Sequence, residues 1–140
     1  MTWNGRARVG GETVVRDERA PFHRHLRVYE HRAHTVLELR GEIDLVSATE
    51  IGPLLDRFTG RPGARVVIDL GPVEFFDCSG LRLLHRARSR VLDGGGQLYL
   101  VCAQPLTLRV LEATGLSRLL PAHPSLDAAL ARPGAASGSL

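Results

Sequence analysis

Short apolar stretches of strand character alternate along this chain with segments in which apolar residues recur every three or four positions. Leu26 to Glu30 and Thr35 to Leu39 read as two short strands, and the polar interval His31 to His34 turns one back on the other as a hairpin. Gly41-Glu42-Ile43-Asp44-Leu45 leads out of it. Ile51, Leu54, Leu55 and Phe58 then fall at i, i+3, i+4 and i+7, which predicts an amphipathic helix. Ser47 and Glu50 have the spacing of a capping box at its start, and Pro53 predicts a late start or a kink. After the break at Gly60 to Gly63, the strand Arg65 to Leu70 carries an unbroken Val66-Val67-Ile68 run, which suits a strand covered on both faces.

The second half repeats the alternation. A link from Asp69 to Phe76 runs into Asp77-Cys78-Ser79-Gly80-Leu81, and Leu81, Leu84, Ala87, Val91 and Leu92 mark a helix that Gly94-Gly95-Gly96 ends. Gln97 to Val101 is a second buried strand, so strand, helix and strand make one right-handed parallel crossover. Pro105 opens a helix carrying Leu106, Leu108, Val110 and Leu111 and ending at Gly115. Leu116 to Leu120 reads as a short edge strand, and Ser125 caps a last helix reaching Ala131. The expected fold is α/β, with a mixed sheet of four to five strands: an N-terminal antiparallel hairpin, a parallel β-α-β unit, and about four helices packed mainly on one face. Residues 26–131 are expected to form this domain, between a flexible basic arm at 1–25 and a flexible tail at 132–140.

Composition narrows the class. With 140 residues, 44% of them hydrophobic, the chain can bury one core and is too short for two ordinary domains. No apolar run approaches the ~20 residues that cross a bilayer, and Met1 to His25 has no apolar secretory segment, so a cytoplasmic protein without a membrane partner is expected. The net charge of +3 comes largely from the first 32 residues, and aromatics are only 5%, which argues against a nucleic-acid face. All 18 basic residues are arginine, so a P-loop lysine, a Schiff base and a lysine general base are excluded. Cys78 and Cys102 have neither CxxC nor metal-ligand spacing and point to a reducing compartment.

Candidate chemistry concentrates at Asp77 to Leu81, where a thiol and a hydroxyl stand together at a helix N-terminus that favours negative charge. A thiol-dependent phosphatase would need an arginine six residues after Cys78. That position is Leu84, with Arg82 and Arg86 on either side, and His85 lies two turns away on the same helix. An enzyme is therefore not expected. The corner reads better as a recognition surface: Asp77 caps the helix, Gly80 lets a partner's backbone approach, and a phosphate would add roughly two negative charges that repel a docked partner. Arg82, Arg86 and Arg90, four apart, form either a solvated helix face or a contact for an acidic partner. His23, His25, His31 and His34 lack a nearby cysteine or convergent carboxylate and read as solvated side chains, with no metal expected. Gly94 to Gly96 follow a helix and precede a strand, the reverse of a dinucleotide loop.

Taken in order, Gly41-Glu-Ile-Asp44-Leu, Val-Val-Ile-Asp69-Leu, Phe76-Asp-Cys-Ser-Gly-Leu81, Gly95-Gly96 and Leu111-x-x-x-Gly115-Leu resemble the STAS domains of bacterial anti-sigma factor antagonists, over about residues 26–131. The resemblance implies a non-enzymatic partner-switching protein, without a cofactor of its own, acting as a monomer or weak dimer. Unphosphorylated, such a protein binds an anti-sigma factor with a serine-kinase fold and frees a sigma factor. The kinase breaks the complex by phosphorylation, and a PP2C-type phosphatase restores it. The docking surface implied here comprises Asp77, Cys78, Ser79, Gly80, Leu81, Arg82, His85 and Arg86, with Asp44 supporting the corner. One position departs from the family motif: the phosphate acceptor follows the aspartate, and here that residue is Cys78. Either Ser79 accepts the phosphate instead, or the switch is absent, or Cys78 responds to oxidation. Cys102 reads as a small buried cysteine, though it ends a strand that could bring the two thiols to one sheet edge, close enough to pair.

Overall fold

Val36, Leu37, Leu39, Val66, Val67 and Ile68 are at most 1% exposed, as the unbroken apolar runs demand of strands covered on both faces. The computed structural model describes residues 7–9, 12–14 and 23–131. Its main sheet runs in the order β1 (Ala7–Val9), β2 (Glu12–Val14), β3 (Leu26–His31), β4 (His34–Leu39), β6 (Arg65–Asp69), β8 (Gln97–Val101) and β9 (Ala122–His123). The first four strands pair antiparallel and the last four parallel, sharing β4. The stretch from β3 to β9 is the expected five-stranded mixed sheet. The hairpin β1-β2 extends it from within the segment read as an arm; the rest of that segment, and the tail at 132–140, lie outside the described residues.

The β3-β4 turn is tighter than the sequence suggested. Only Arg32 and Ala33 lie in it, both in the left-handed region with φ of 52° and 63°. That is the pattern of a type I′ hairpin, which glycine or asparagine ordinarily occupies.

The stretch read as a plain link contains a strand, β7 (Val73–Phe76). It pairs in parallel with β5 (Gly41–Ile43) as a small second sheet. Its burial pattern has Val73 and Phe76 inside and Glu74 and Phe75 outside, which breaks the period of two by which a strand is recognised.

Helix α1 (Leu45–Thr59) starts earlier than expected and runs through Pro53. Its cap is Asp44, and Ser47 stands at the third helical position, closing the box that Ser47 and Glu50 had been expected to make. Helix α2 (Cys78–Asp93) is capped by Asp77 as expected and stops at Gly94, with Gly95 at φ 76°. Helix α3 (Pro105–Ala113) begins on its proline. Leu116 to Leu120 is not an edge strand: Leu116–Leu119 form a helical turn, α4, and the edge strand is β9. Leu116 and Leu120 are both buried while Leu119 is exposed, which is helical spacing. Helix α5 (Leu126–Leu130) is capped by Ser125.

Two cores result. Leu37, Leu39, Ile68, Leu98 and Leu100 pack under α1, α2, α3 and α4 through Ile51, Leu55, Leu84, Val91, Leu111 and Leu116. On the opposite face Tyr29, Val36, Val67, Tyr99 and Val101 pack against Leu126, Ala129 and Leu130 of α5. Four of the five helices among the described residues thus share one face, and each fully buried leucine there contributes on the order of 1.5–3 kcal/mol.

Candidate functional site

The two-stranded sheet sets the site. β5 and β7 lie side by side, and each runs through a single extended aspartate into a helix: Ile43 through Asp44 into α1, and Phe76 through Asp77 into α2. The Asp77 amide donates to the Ile43 carbonyl at 3.4 Å, so the two helix starts are neighbours.

Asp44 Oδ1 accepts from the Ser47 amide at 3.0 Å, and the Asp44 amide donates to Ser47 Oγ at 2.9 Å. Ser47 Oγ in turn donates to the Glu42 carbonyl at 2.7 Å, which ties the cap to β5. The Ser47 amide, and after it the Ser47 hydroxyl, holds the Asp44 carboxyl below the usual carboxylate range. Asp77 Oδ1 accepts from the Ser79 amide at 2.8 Å. Each helix start therefore already satisfies one of its unpaired N-H groups with its own carboxylate.

Within the Asp77 to Leu81 corner the side chains diverge. Cys78 is exposed, whereas Ser79 is 7% exposed and Gly80 is buried. The ring of Phe76 lies where a Gly80 Cβ would be, so this glycine admits an intramolecular ring, not the backbone of a partner as the sequence had suggested. Leu81 is half-buried and packs against the larger core.

The arginine stripe is also divided. Arg86 grips Asp56 of α1 through two bonds, Nε to Oδ1 at 2.8 Å and a terminal nitrogen to Oδ2 at 2.9 Å. This bond holds the Asp56 carboxyl below its ordinary range. Arg90 donates to the Asp56 carbonyl at 2.9 Å and to Thr59 Oγ1 at 3.2 Å. Arg86 and Arg90 are thus spent on joining α2 to α1, which corrects their reading as a free basic stripe. Arg82 and His85 stay exposed, one and two turns beyond Cys78 on the same face.

Three exposed apolar residues that the sequence reading passed over complete the surface: Leu45 at 64%, Val46 at 66% and Phe75 at 52%. A signal for them existed. Leu45 and Val46 follow Asp44 directly, and neighbouring residues such as Phe75 and Phe76 point to opposite faces of a strand, so one of that pair must face out.

Chemically the corner is suited to contact. Among the described residues no base is hydrogen-bonded to the Cys78 thiol, and no group of three or more His, Cys, Asp or Glu is placed to hold a metal ion. Cys102 is buried, its thiol pushed up by that burial; both cysteines are free, so the pairing considered from the sequence is not made. The histidines are not uniformly solvated: His23 Nε2 bonds Glu50 Oε1 at 2.9 Å, and His34 is buried. No helix among the described residues is long and apolar enough to cross a membrane.

Comparison with known proteins places this geometry. A candidate anti-anti-sigma factor of Mycobacterium tuberculosis, Rv2638, is 36% identical over 67 residues, which are 48% of this chain and 45% of that relative. The chain thus spans under half the length of that relative. The anti-sigma-F factor antagonist RsfB of the same species is 29% identical over 103 residues, 74% of this chain and 84% of RsfB. The crystal structure of an anti-sigma factor antagonist from Mycobacterium paratuberculosis superposes with a TM-score of 0.67 at 31% identity, covering 76% of this chain and 90% of that one. The STAS domain model matches residues 25–129, which takes in every strand from β3 onward and both capped helix starts: the chain belongs to the STAS domain family.

Proposed function

We propose that this chain is an anti-sigma factor antagonist. It docks on an anti-sigma factor with a serine-kinase fold through the surface at the starts of α1 and α2, and so releases a sigma factor in the cytoplasm without catalysing a reaction itself. The observation that carries the reading is the adjacency of two aspartate-capped helix starts bordered by exposed Leu45, Val46 and Phe75. Apolar side chains of this size at a rim of polar residues mark protein contacts, and the names of the relatives agree. Cys78, Arg82 and His85 lie on the contact face, while Asp44, Asp77, Ser79 and Gly80 shape it from beneath and Arg86, exposed beside it, ties α2 to α1. Val46→Glu and Phe75→Glu are expected to weaken binding of the cognate anti-sigma factor at least tenfold by titration calorimetry. Leu92→Glu, a control exposed at the far end of α2, should not. Equal affinity for all three variants would remove this surface from the interface.

A second reading concerns regulation: the chain binds constitutively or under thiol control, without a serine switch. It is favoured by the burial of Ser79 beside the Phe76-Gly80 contact and by the exposure of Cys78 at the position where the family carries its acceptor. Intact mass and peptide mapping after incubation with ATP, magnesium and the partner kinase decide between the two. Phosphate on Ser79 establishes a displaced switch that a PP2C-type phosphatase would reverse. Complex formation without phosphate, by a kinase proven active on another substrate, supports the constitutive reading.

A further inference from the structure

On the sheet face away from the helix-start corner, His34 sits at the inner end of the β3-β4 turn. It is 7% exposed. Its Nδ1 lies 2.7 Å from the Arg32 carbonyl, which can only accept, so Nδ1 carries the proton and Nε2 is a bare lone pair. That Nε2 is buried and has no hydrogen-bond partner. The same bond holds the carbonyl of Arg32, the first of two non-glycine residues at positive φ, a conformation that costs about 1–2 kcal/mol per residue.

Among the described side chains, those that face His34 do not favour a second proton. From β3, His31 stands directly opposite His34 in the register. From β6, Arg65 precedes the residue paired with Thr35 and opposes a positive charge on the ring. From β8 the Tyr99 ring meets His34 edge-on at 5.6 Å, with His123 of β9 on its other side at 6.3 Å. From α5, Asp127 is engaged outside by Arg32 at 3.4 Å. Among the described side chains, the carboxylates Glu38 and Asp69 of this face lie beyond the row Tyr29-Val36-Val67-Tyr99, and Arg27 and Arg40 already hold Glu38 at 3.3 and 3.1 Å.

We propose that His34 makes the turn and α5 an acid-sensitive latch: protonation at Nε2 expels the ring, frees the Arg32 carbonyl, and undocks α5 from the row Tyr29, Val36, Val67 and Tyr99. Burial, the leading cause, already holds the His34 pKa below 6.5, the ordinary value. The open state therefore takes up a proton as pH falls below about 6.5 while the closed state resists, and stability of the closed latch declines with acidification. The corner at the starts of α1 and α2 is on the other face and keeps its geometry.

Hydrogen exchange of the α5 amides at pH 7.5 and 5.5, corrected for the intrinsic pH dependence of exchange, tests this. The opening constant of the wild type is expected to rise about tenfold over that interval, as a site closed to protons and an open site of pKa near 6.5 require. His34→Asn keeps a donor for the Arg32 carbonyl but does not titrate, and should abolish the rise; His31→Gln and His123→Gln should retain it. A tenfold rise that persists in His34→Asn, or no rise in the wild type, overturns the proposal. Should His34→Asn fail to fold, the wild-type His34 ring is followed by NMR: a neutral ring in the closed state at pH 5.5 supports the latch, and a protonated ring with α5 still protected overturns it.

Discussion

The ring of Phe76 occupies the space that a side chain on Gly80 would fill: a Cβ at Gly80 would lie 2.7 Å from Phe76 Cδ1. The last residue of β7 is thereby locked against the first turn of α2, with Asp77 as the cap between them. Recognition geometry at this corner depends on that contact as much as on the exposed residues.

Gly80→Ala is accordingly expected to destabilise the domain by about 1–3 kcal/mol, the range for overpacking a close contact. Phe76→Leu makes room, so the cost of Gly80→Ala in that background should fall. A double-mutant cycle by urea unfolding reads the coupling, and strictly additive effects would show that the ring and the glycine do not meet.

The caps differ in what they hold. Asp44→Ala removes the bonds from the Ser47 amide and hydroxyl and leaves the Ser47-Glu42 bond in place, whereas Asp77→Ala removes the one side-chain bond at the start of α2. Each is expected to cost about 1 kcal/mol of stability. Asp77→Ala should also weaken partner binding, because its helix start carries Cys78 and Arg82. Unchanged affinity in Asp77→Ala at a temperature where it is fully folded would count against the docking surface.

Acid unfolding should report the Arg86-Asp56 pair. The folded Asp56 carboxyl is held below its unfolded value near 3.8, mainly by its hydrogen bond to Arg86, so the pair stabilises above that pH and its contribution disappears as pH falls through the folded pKa. Arg86 is exposed and Asp56 partly so, and solvent screening keeps that contribution small. Arg86→Met should lose that contribution at pH 7 and nothing at the lowest pH that still permits folding, measured by thermal melts across the series.

The β3-β4 turn invites a stabilising change. Ala33 sits at φ 63°, where glycine carries no Cβ penalty, and relief of that strain outweighs the added freedom of the unfolded chain. Ala33→Gly is expected to raise stability by about 0.5–1 kcal/mol. A lower melting temperature would mean that the turn does not adopt the left-handed pair.

Much of the fold was legible because local chemistry and tertiary environment agree. The hairpin, the Val66-Val67-Ile68 strand, the Asp77 cap, the Gly94 to Gly96 stop, the Pro105 start and the Ser125 cap each depend on residues within a few positions of one another. Periodicity also foretold one well-covered sheet face. The order of the motifs was enough to name the family.

Where local signals competed, only the folded chain could choose. Asp44 and Ser47 are both good caps, and the choice went to Asp44 because β5 delivers it extended beside β7. Arg86 and Arg90 look like Arg82 along the helix, yet the packing of α1 beside α2 turns two of the three toward Asp56 and Thr59. Ser79 and Cys78 are chemically similar neighbours, but the 100° step of a helix sends one into the protein and the other to solvent. His34 is polar on a short strand and nothing nearby in sequence marks it as buried; the ring of Tyr99, more than sixty residues away, packs edge-on against it. The sequence by itself determined the family and most of the elements in their order, since those follow from short-range patterns, but not β7, α4 or β9. The direction each functional side chain faces was decided by contacts between distant segments, which no local pattern records.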